Sequence, residues 1–195
     1  PAIQVNQNTA TVATGLTGTQ GLAKLGSGKL VLSGSSTVSG TLYVDTNANP
    51  GDGGTTTAAH PDALDGFSSI SIRNNNAGFS TFELDGSTGD IVSPAGVSLS
   101  GRNNTVTAIR NRSGENHVNG GMSIGVGGSN YIFESLAGTF NLGGTFTSTG
   151  GGTRILTFQG DGNFTFKGPL SLGSASAFSL LKSGIGTLTL AGTGN

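Results

Sequence analysis

A short alternating pattern recurs along this chain and limits what it can fold into. Glycine, an apolar residue, a second apolar residue and glycine stand at every second position, and three copies near the C-terminal end recur at a constant interval of about 24 residues. The three copies are Gly138, Phe140, Leu142, Gly144; Gly162, Phe164, Phe166, Gly168; and Gly186, Leu188, Leu190, Gly192. The same unit stands at Gly28, Leu30, Leu32, Gly34, and a degraded copy at Gly114, Asn116, Val118, Gly120.

Strict alternation of this kind is typical of a strand with one buried side. The flanking glycines indicate corners, where a positive φ or a close backbone approach is needed. A strand that recurs at a fixed interval can stack on its predecessor, so we predict an all-β parallel β-helix, or β-solenoid, with roughly 24 residues per turn. About eight turns, each about 4.8 Å high, would form a rod near 40 Å long. A sandwich of hairpins explains short strands but not the constant interval.

The composition excludes several other classes of protein. Only 10% of the residues are charged and the net charge is −1, so the chain has neither the charge of a disordered segment nor a basic stripe for nucleic acid. Cysteine is absent, which excludes disulfides and thiolate metal sites. No apolar stretch is long enough to span a bilayer. We therefore expect a single ordered domain over residues 1–195, with no cofactor, no nucleic-acid partner and no membrane span.

The two longest copies of the pattern extend beyond its core. Both read L-x-K-x-G-x-G-x-L-x-L-x-G, a string that closely resembles the autotransporter-associated β-strand repeat of bacterial passenger domains and very large surface proteins. The matched residues are Leu22, Lys24, Gly26, Gly28, Leu30, Leu32, Gly34 and Leu180, Lys182, Gly184, Gly186, Leu188, Leu190, Gly192. The resemblance implies a right-handed β-helix, secretion and display at the cell surface. It implies no catalytic residue.

The longest break in the repeat is predicted to be a loop excursion at about 45–66. Oxygen-bearing side chains stand close together in its first part, at Asp45, Asn47, Asn49 and Asp52. Such residues can supply several of the oxygens that Ca²⁺ requires, although the distal glutamate of an EF-hand is missing. They are also ordinary turn residues. The excursion is therefore a weak calcium candidate and a candidate recognition loop.

A second candidate site is the cluster of Arg110, Arg112, Glu115 and His117. These residue types can line a saccharide groove, but they also suit a solvated turn with local salt bridges. His60, beside a proline, is expected in an exposed loop. No Ser/His/Asp arrangement and no convincing acid/base pair are legible, so we predict that the protein is not an enzyme and place a polysaccharide-degrading β-helix last.

The sequence thus predicts a structural role outside the cell. The chain would serve as a stalk, as an adhesive passenger or as a subunit of a head-to-tail fibre. Neither end shows a capping helix, so the expected partners are a second copy stacked end to end or further turns of a longer chain. The alternative is a carbohydrate-binding adhesin that uses the 45–65 loop or the corner between Arg110 and His117, with a surface glycan as partner.

Overall fold

The regular structure consists of β-strands and one short 3₁₀ helix. The computed structural model describes residues 1–44, 53–73, 80–102, 105–171 and 173–192, and these contain no α-helix. The 3₁₀ helix is Gly86–Thr88. The strands are β1 (Ala2–Gln4), β2 (Thr9–Val12), β3 (Leu16–Gly18), β4 (Leu22–Leu25), β5 (Lys29–Leu32), β6 (Ser36–Val38), β7 (Thr41–Tyr43), β8 (Gly54–Ala58), β9 (Ser69–Arg73), β10 (Ser80–Asp85), β11 (Val92–Ser93), β12 (Gly96–Ser100), β13 (Thr107–Ser113), β14 (Glu115–Val118), β15 (Met122–Ile124), β16 (Asn130–Ser135), β17 (Thr139–Leu142), β18 (Phe146–Ser148), β19 (Thr153–Gln159), β20 (Asn163–Phe166), β21 (Leu170–Ser171), β22 (Ala177–Lys182) and β23 (Leu188–Leu190).

The strands wind into a parallel β-solenoid with three faces. Face 1 has the order β1-β4-β7-β9-β12-β15-β18-β21, and face 2 has the order β2-β5-β8-β10-β13-β16-β19-β22. Face 3 comprises β11-β14-β17-β20-β23, and the two-stranded sheet β3-β6 takes its place in the first turns. Every pairing between these strands is parallel, because the chain winds in one direction and each strand pairs with the equivalent strand of the preceding turn. The predicted fold class is confirmed.

The length of a turn changes along the chain. On face 3, Phe140 pairs with Phe164, and the predicted interval of 24 residues also separates Asn163 from its hydrogen-bond partner Thr187. In the first turns Leu16 pairs with Ser36, only 20 residues later. In the middle the interval lengthens, as in the 28 residues from β7 to its partner β9, where the Thr41 and Ser69 hydroxyls are hydrogen-bonded. The predicted periodicity is therefore a property of the C-terminal half, where the interval is 24 residues on face 3 and 25 residues between β16 and β19.

The interior is a continuous apolar column formed by the inward side chains of all three faces. Phenylalanine dominates its C-terminal half. The Phe133 and Phe158 rings stack at a centroid distance of 5.1 Å, and Phe158 meets Phe164 and Phe166 edge-on at 5.3 Å. Such contacts add about 0.5–1.5 kcal/mol per pair beyond the burial of area. A stack of apolar side chains, mainly leucine, isoleucine, valine and phenylalanine, is thus the core of the molecule.

The two long copies of the repeat occupy different corners of the solenoid. Residues 22–34 run from β4 on face 1 to β5 on face 2, whereas residues 180–192 run from β22 on face 2 to β23 on face 3. Both corners place glycine at a positive φ, +82° at Gly26 and +79° at Gly184. The two copies therefore share one local turn geometry but lie at different corners of the solenoid.

Several glycines of the repeat are required by close packing between turns. A Cβ atom on Gly34 would lie 2.6 Å from the carbonyl carbon of Thr14, and one on Gly144 would lie 2.6 Å from that of Gly120. Real Cβ atoms do not approach backbone so closely, so any side chain there would push two turns apart. Of the two reasons predicted for the corner glycines, close approach explains Gly34 and Gly144.

The predicted excursion at about 45–66 is wrong for its second part. Gly54–Ala58 forms β8, which pairs with β5 and β10 inside face 2. The following turn buries Ala63 and Leu64 in the core, and the Asp62 carbonyl accepts a hydrogen bond from Ser36 N. The reason for the error is the sequence Thr55-Thr56-Thr57, which lacks apolar alternation although Thr56 takes the inward position between Leu30 and Phe82.

Candidate functional site

The predicted cluster of Arg110, Arg112, Glu115 and His117 is divided between two faces. Arg110 and Arg112 lie on β13 of face 2, whereas Glu115 and His117 follow on β14 of face 3. Gly114 forms the corner between them, with a φ of +84°. The backbone of His117 lies between Val92 and Asn141 of the neighbouring turns. Residues that are close in sequence therefore do not form one site.

Arg110 instead belongs to a row of polar side chains along the outer side of face 2. Its guanidinium donates from Nε to Glu134 Oε2 at 2.5 Å and from Nη1 to Glu83 Oε2 at 3.3 Å. Lys29 Nζ donates to Glu83 Oε1 at 2.7 Å, and Gln159 Nε2 donates to Glu134 Oε1 at 3.1 Å. We call Lys29, Thr57, Glu83, Arg110, Glu134 and Gln159 the face-2 ladder.

Glu83 is the centre of the face-2 ladder and is only 2% exposed. Burial alone would favour its neutral form, but Lys29, Thr57 and Arg110 outweigh this effect and lower the pKa of the Glu83 carboxyl. Both carboxylate oxygens already accept hydrogen bonds from these neighbours. A carboxylate held in this way is fixed as an anion, which suits a structural ion pair more than proton transfer.

Asp85 has a related environment beside the face-2 ladder. Ser113 Oγ donates to Asp85 Oδ1 at 2.9 Å, and Arg112 Nε lies 3.3 Å from Asp85 Oδ2. Partial burial opposes ionisation of Asp85, but hydrogen bonds from Ser87 and Ser113, together with the charge of Arg112, lower its pKa. Both arginines of the predicted cluster thus form ion pairs with carboxylates that lie one turn away along the solenoid.

Lys29, Glu83 and Glu134 were not predicted as site residues from the sequence. A signal for two of them exists, because Arg110 is separated by 27 residues from Glu83 and by 24 residues from Glu134, close to the length of one turn. Side chains at that interval on the outer side of a strand stand directly above one another. Ion pairs between opposite charges one turn apart can therefore be predicted from the sequence once the number of residues per turn is known.

The remaining candidate residues form no site within the described residues. Asp45, Asn47, Asn49 and Asp52, the calcium candidate, lie outside the described part of the chain. His60 lies in a surface turn, where its Nδ1 accepts a hydrogen bond from Asp62 N at 3.1 Å. Among the described residues, no group of three or more histidine and carboxylate side chains could hold a metal ion.

The last described turn exposes side chains at positions that are buried in the turn before it. Leu180 pairs with Leu156 and Leu190 with Phe166, so both occupy inward positions. Leu156 and Phe166 are buried, whereas Leu180 is 42% and Leu190 43% exposed. The strands β21, β22 and β23 each have a described partner on one side only. Among the described residues, the strands of this last turn therefore have one unpaired edge each and present an apolar surface.

The comparisons with protein families, curated proteins and solved structures find no match to this chain. In the described residues, no helix is long and apolar enough to cross a membrane.

Proposed function

We propose that this protein is a structural β-solenoid of the cell surface or the extracellular space, which extends a rod by stacking turn upon turn. Its open end would be covered by a further turn, supplied either by a second copy or by more of the same solenoid. The observation that carries the proposal is the exposure of inward leucines on the last described turn. No catalytic step and no cofactor belong to this role.

The energetics of the edge support stacking. Every interior turn buries its inward side chains between two neighbours and forms hydrogen bonds with both. Leu180 is 42% and Leu190 43% exposed, so covering the rest of each side chain would add about 0.6–1.3 kcal/mol per leucine. Unpaired strand edges with exposed apolar residues are also strong templates for pairing with another chain. A heterologous contact of this kind does not close on itself, so it generates a filament.

The outer surface supports the same role. The ionic side chains of the face-2 ladder neutralise one another, and Glu83 and Glu134 are each engaged by basic or amide partners. Such a surface stiffens the stack from turn to turn. Location outside the cell is supported by the resemblance of the two long repeat copies to a repeat of bacterial surface proteins.

The stacking proposal is tested by static light scattering of the purified chain over a range of concentrations. We expect the mean mass to rise with concentration. The double variant Leu180→Lys/Leu190→Lys places two charges on the inward edge and should remain monomeric. Leu181→Lys is the matched control, because Leu181 pairs with the outward residue Thr157 and should not hinder stacking.

Two results would contradict the stacking proposal. One is a wild-type mass equal to that of a monomer at all concentrations. The other is assembly of Leu180→Lys/Leu190→Lys that equals the wild type. Far-UV circular dichroism of each variant shows that the β-structure is intact.

The location is tested separately on the cells that produce the protein. We expect an antibody against the chain to label intact cells, and external trypsin to remove the signal. Labelling that requires permeabilised cells would contradict a role outside the cell.

A further inference from the structure

A row of hydroxyl groups runs along the outer side of face 1. Ser71, Ser98, Ser123, Thr147 and Ser171 pair in register on five successive turns. Their inward neighbours, such as Ile70, Ile72 and Leu99, are fully buried, so the hydroxyl side chains stand on the outer side of the sheet. At about 4.8 Å per turn the row is about 19 Å long.

The N-terminal half of this row forms the floor of a shallow groove of about 430 Å³. Its polar lining consists of Ser71, Arg73, Ser98, Ser100, Ser123 and Thr149. The exposed side chain of Val126 adds one apolar contact. No acidic side chain belongs to the described lining of the groove. We call this feature the face-1 groove.

Most polar side chains of the face-1 groove have no hydrogen-bond partner among the described residues, although Thr149 Oγ1 donates to Ile124 O at 3.2 Å. Ser71 is only 6% exposed, yet its hydroxyl forms no hydrogen bond with any described residue. The guanidinium of Arg73 likewise has no ion pair or hydrogen bond within the described part of the chain. The basic residues Lys29, Arg110 and Arg112 on face 2 are all paired with carboxylates. Arg73 therefore differs from them in having a charge that the described residues do not neutralise.

We propose that the face-1 groove binds a segment of acidic polysaccharide that lies along the solenoid axis. Arg73 would hold a uronate carboxylate, since a guanidinium binds a carboxylate with two parallel hydrogen bonds. The serine hydroxyls both donate and accept, so they match the hydroxyl groups of a sugar ring. A pyranose unit of an extended chain is close to one turn in length, so successive units would meet successive turns.

This proposal goes beyond the structural role and does not depend on stacking of the ends. A free small anion would need only Arg73 and would leave the hydroxyl row unused. A neutral glycan would leave the charge of Arg73 without a partner. An acidic polysaccharide would contact both the Arg73 guanidinium and the row of hydroxyl groups, so the two features together favour it as the ligand.

The test is isothermal titration calorimetry with a panel of uronate hexamers, built from galacturonate, guluronate, mannuronate and glucuronate-containing repeats. We expect at least one hexamer to bind, and the corresponding uronate monomer and inorganic phosphate to bind at least tenfold more weakly. Methyl esterification of the bound hexamer should weaken binding at least tenfold. Arg73→Gln should have a similar effect, and Ser98→Ala/Ser123→Ala should weaken binding severalfold.

Arg112→Gln is the matched control, because it removes an arginine from face 2 and should leave the affinity within twofold. The proposal is overturned if no hexamer of the panel binds, if the monomer or phosphate binds as tightly as the hexamer, or if Arg73→Gln and Arg112→Gln have equal effects. Circular dichroism establishes that each variant retains its β-structure, so a loss of binding is a property of the groove.

Discussion

Lys24 and Lys182 occupy the same position in the two long copies of the repeat, and both bind the backbone of their own corner. Lys24 Nζ donates to the carbonyl of Gly26 and, at 2.9 Å, to that of Gly53 in the next turn. Lys182 Nζ donates to Ser183 O at 2.8 Å and Gly184 O at 3.1 Å. In both copies the lysine donates hydrogen bonds to carbonyl groups of its corner. Lys24 is buried because the next turn of the solenoid lies over it, whereas Lys182 lies on the last described turn and is exposed.

This difference in environment gives a prediction for the two lysines. Lys24→Ala should lower the free energy of unfolding by about 2–4 kcal/mol, because it removes buried hydrogen bonds and leaves a cavity. Lys182→Ala is the matched control and should cost less than about 1 kcal/mol, because its site is exposed. Urea unfolding of both variants measures the difference. Equal effects would refute the structural role assigned to Lys24.

Asn116 stands at an inward position where the neighbouring copies of the repeat have phenylalanine. Its backbone pairs with that of Phe140, yet its side chain serves the corner. Oδ1 accepts from Ile91 N at 2.8 Å, and Nδ2 donates to Ser113 O at 2.8 Å and to Asn111 Oδ1 at 2.5 Å. The degraded copy of the repeat is therefore a buried polar network with its own partners.

Replacing Asn116 by the apolar residue of the repeat should destabilise the protein. Asn116→Leu would leave Ile91 N and Ser113 O without this partner in the interior, and we expect a loss of about 2–3 kcal/mol in the free energy of unfolding. Phe140→Leu, one turn further along, exchanges one apolar side chain for another and should cost about 1.5 kcal/mol or less. Denaturant unfolding compares them, and a stabilised Asn116→Leu protein would contradict the assigned network.

At the scale of the elements, the face-2 ladder joins strands that are remote in sequence. Glu83 on β10 is paired with Lys29 on β5 and with Arg110 on β13. Since these neighbours hold its pKa below the ordinary value of 4.5, the folded state favours the carboxylate more than the unfolded state does. The resulting stability is fully present above that ordinary value and is lost as the pH falls through the lower pKa of the folded state.

The free energy of unfolding should therefore fall as the pH decreases below 4.5. Glu83→Gln should cost about 2 kcal/mol at pH 7 and should flatten this decline, so that the variant and the wild type converge in strong acid. Glu115→Gln replaces an exposed carboxylate on β14 and serves as the control with an unchanged profile. Urea unfolding at several pH values gives the curves, and parallel curves for Glu83→Gln and wild type would contradict the prediction.

The alternation of glycine and apolar residues predicted the strands of face 3 in the C-terminal half, because the inward Phe and Leu residues there recur at a constant interval of 24 residues. The same rule missed β8, where Thr56 is the inward residue between Leu30 and Phe82. The alternating unit also does not predict at which corner of the solenoid it lies, because residues 22–34 join face 1 to face 2 and residues 180–192 join face 2 to face 3. Ion pairs such as Arg110–Glu134 require the turn length before they can be predicted.

On the scale of the whole molecule, the fold is a one-dimensional stack whose interactions run between adjacent turns. Backbone hydrogen bonds, phenylalanine contacts and most contacts of the face-2 ladder join one turn to the next, and the Lys29–Glu83 ion pair spans two turns. Stability in such a stack depends on nearest-neighbour contacts, so an additional turn at an open end should be added with the same contacts as an interior turn. The exposed leucines of β22 and β23 lie where such a turn would be added, and their burial would favour the proposed growth of a rod.

The most direct test of this account is electron microscopy of the purified chain at neutral pH with no ligand added. The account predicts filaments that lengthen with protein concentration and have an axial repeat of about 40 Å per chain, the height of about eight turns. Particles that remain one chain long at every concentration would contradict it.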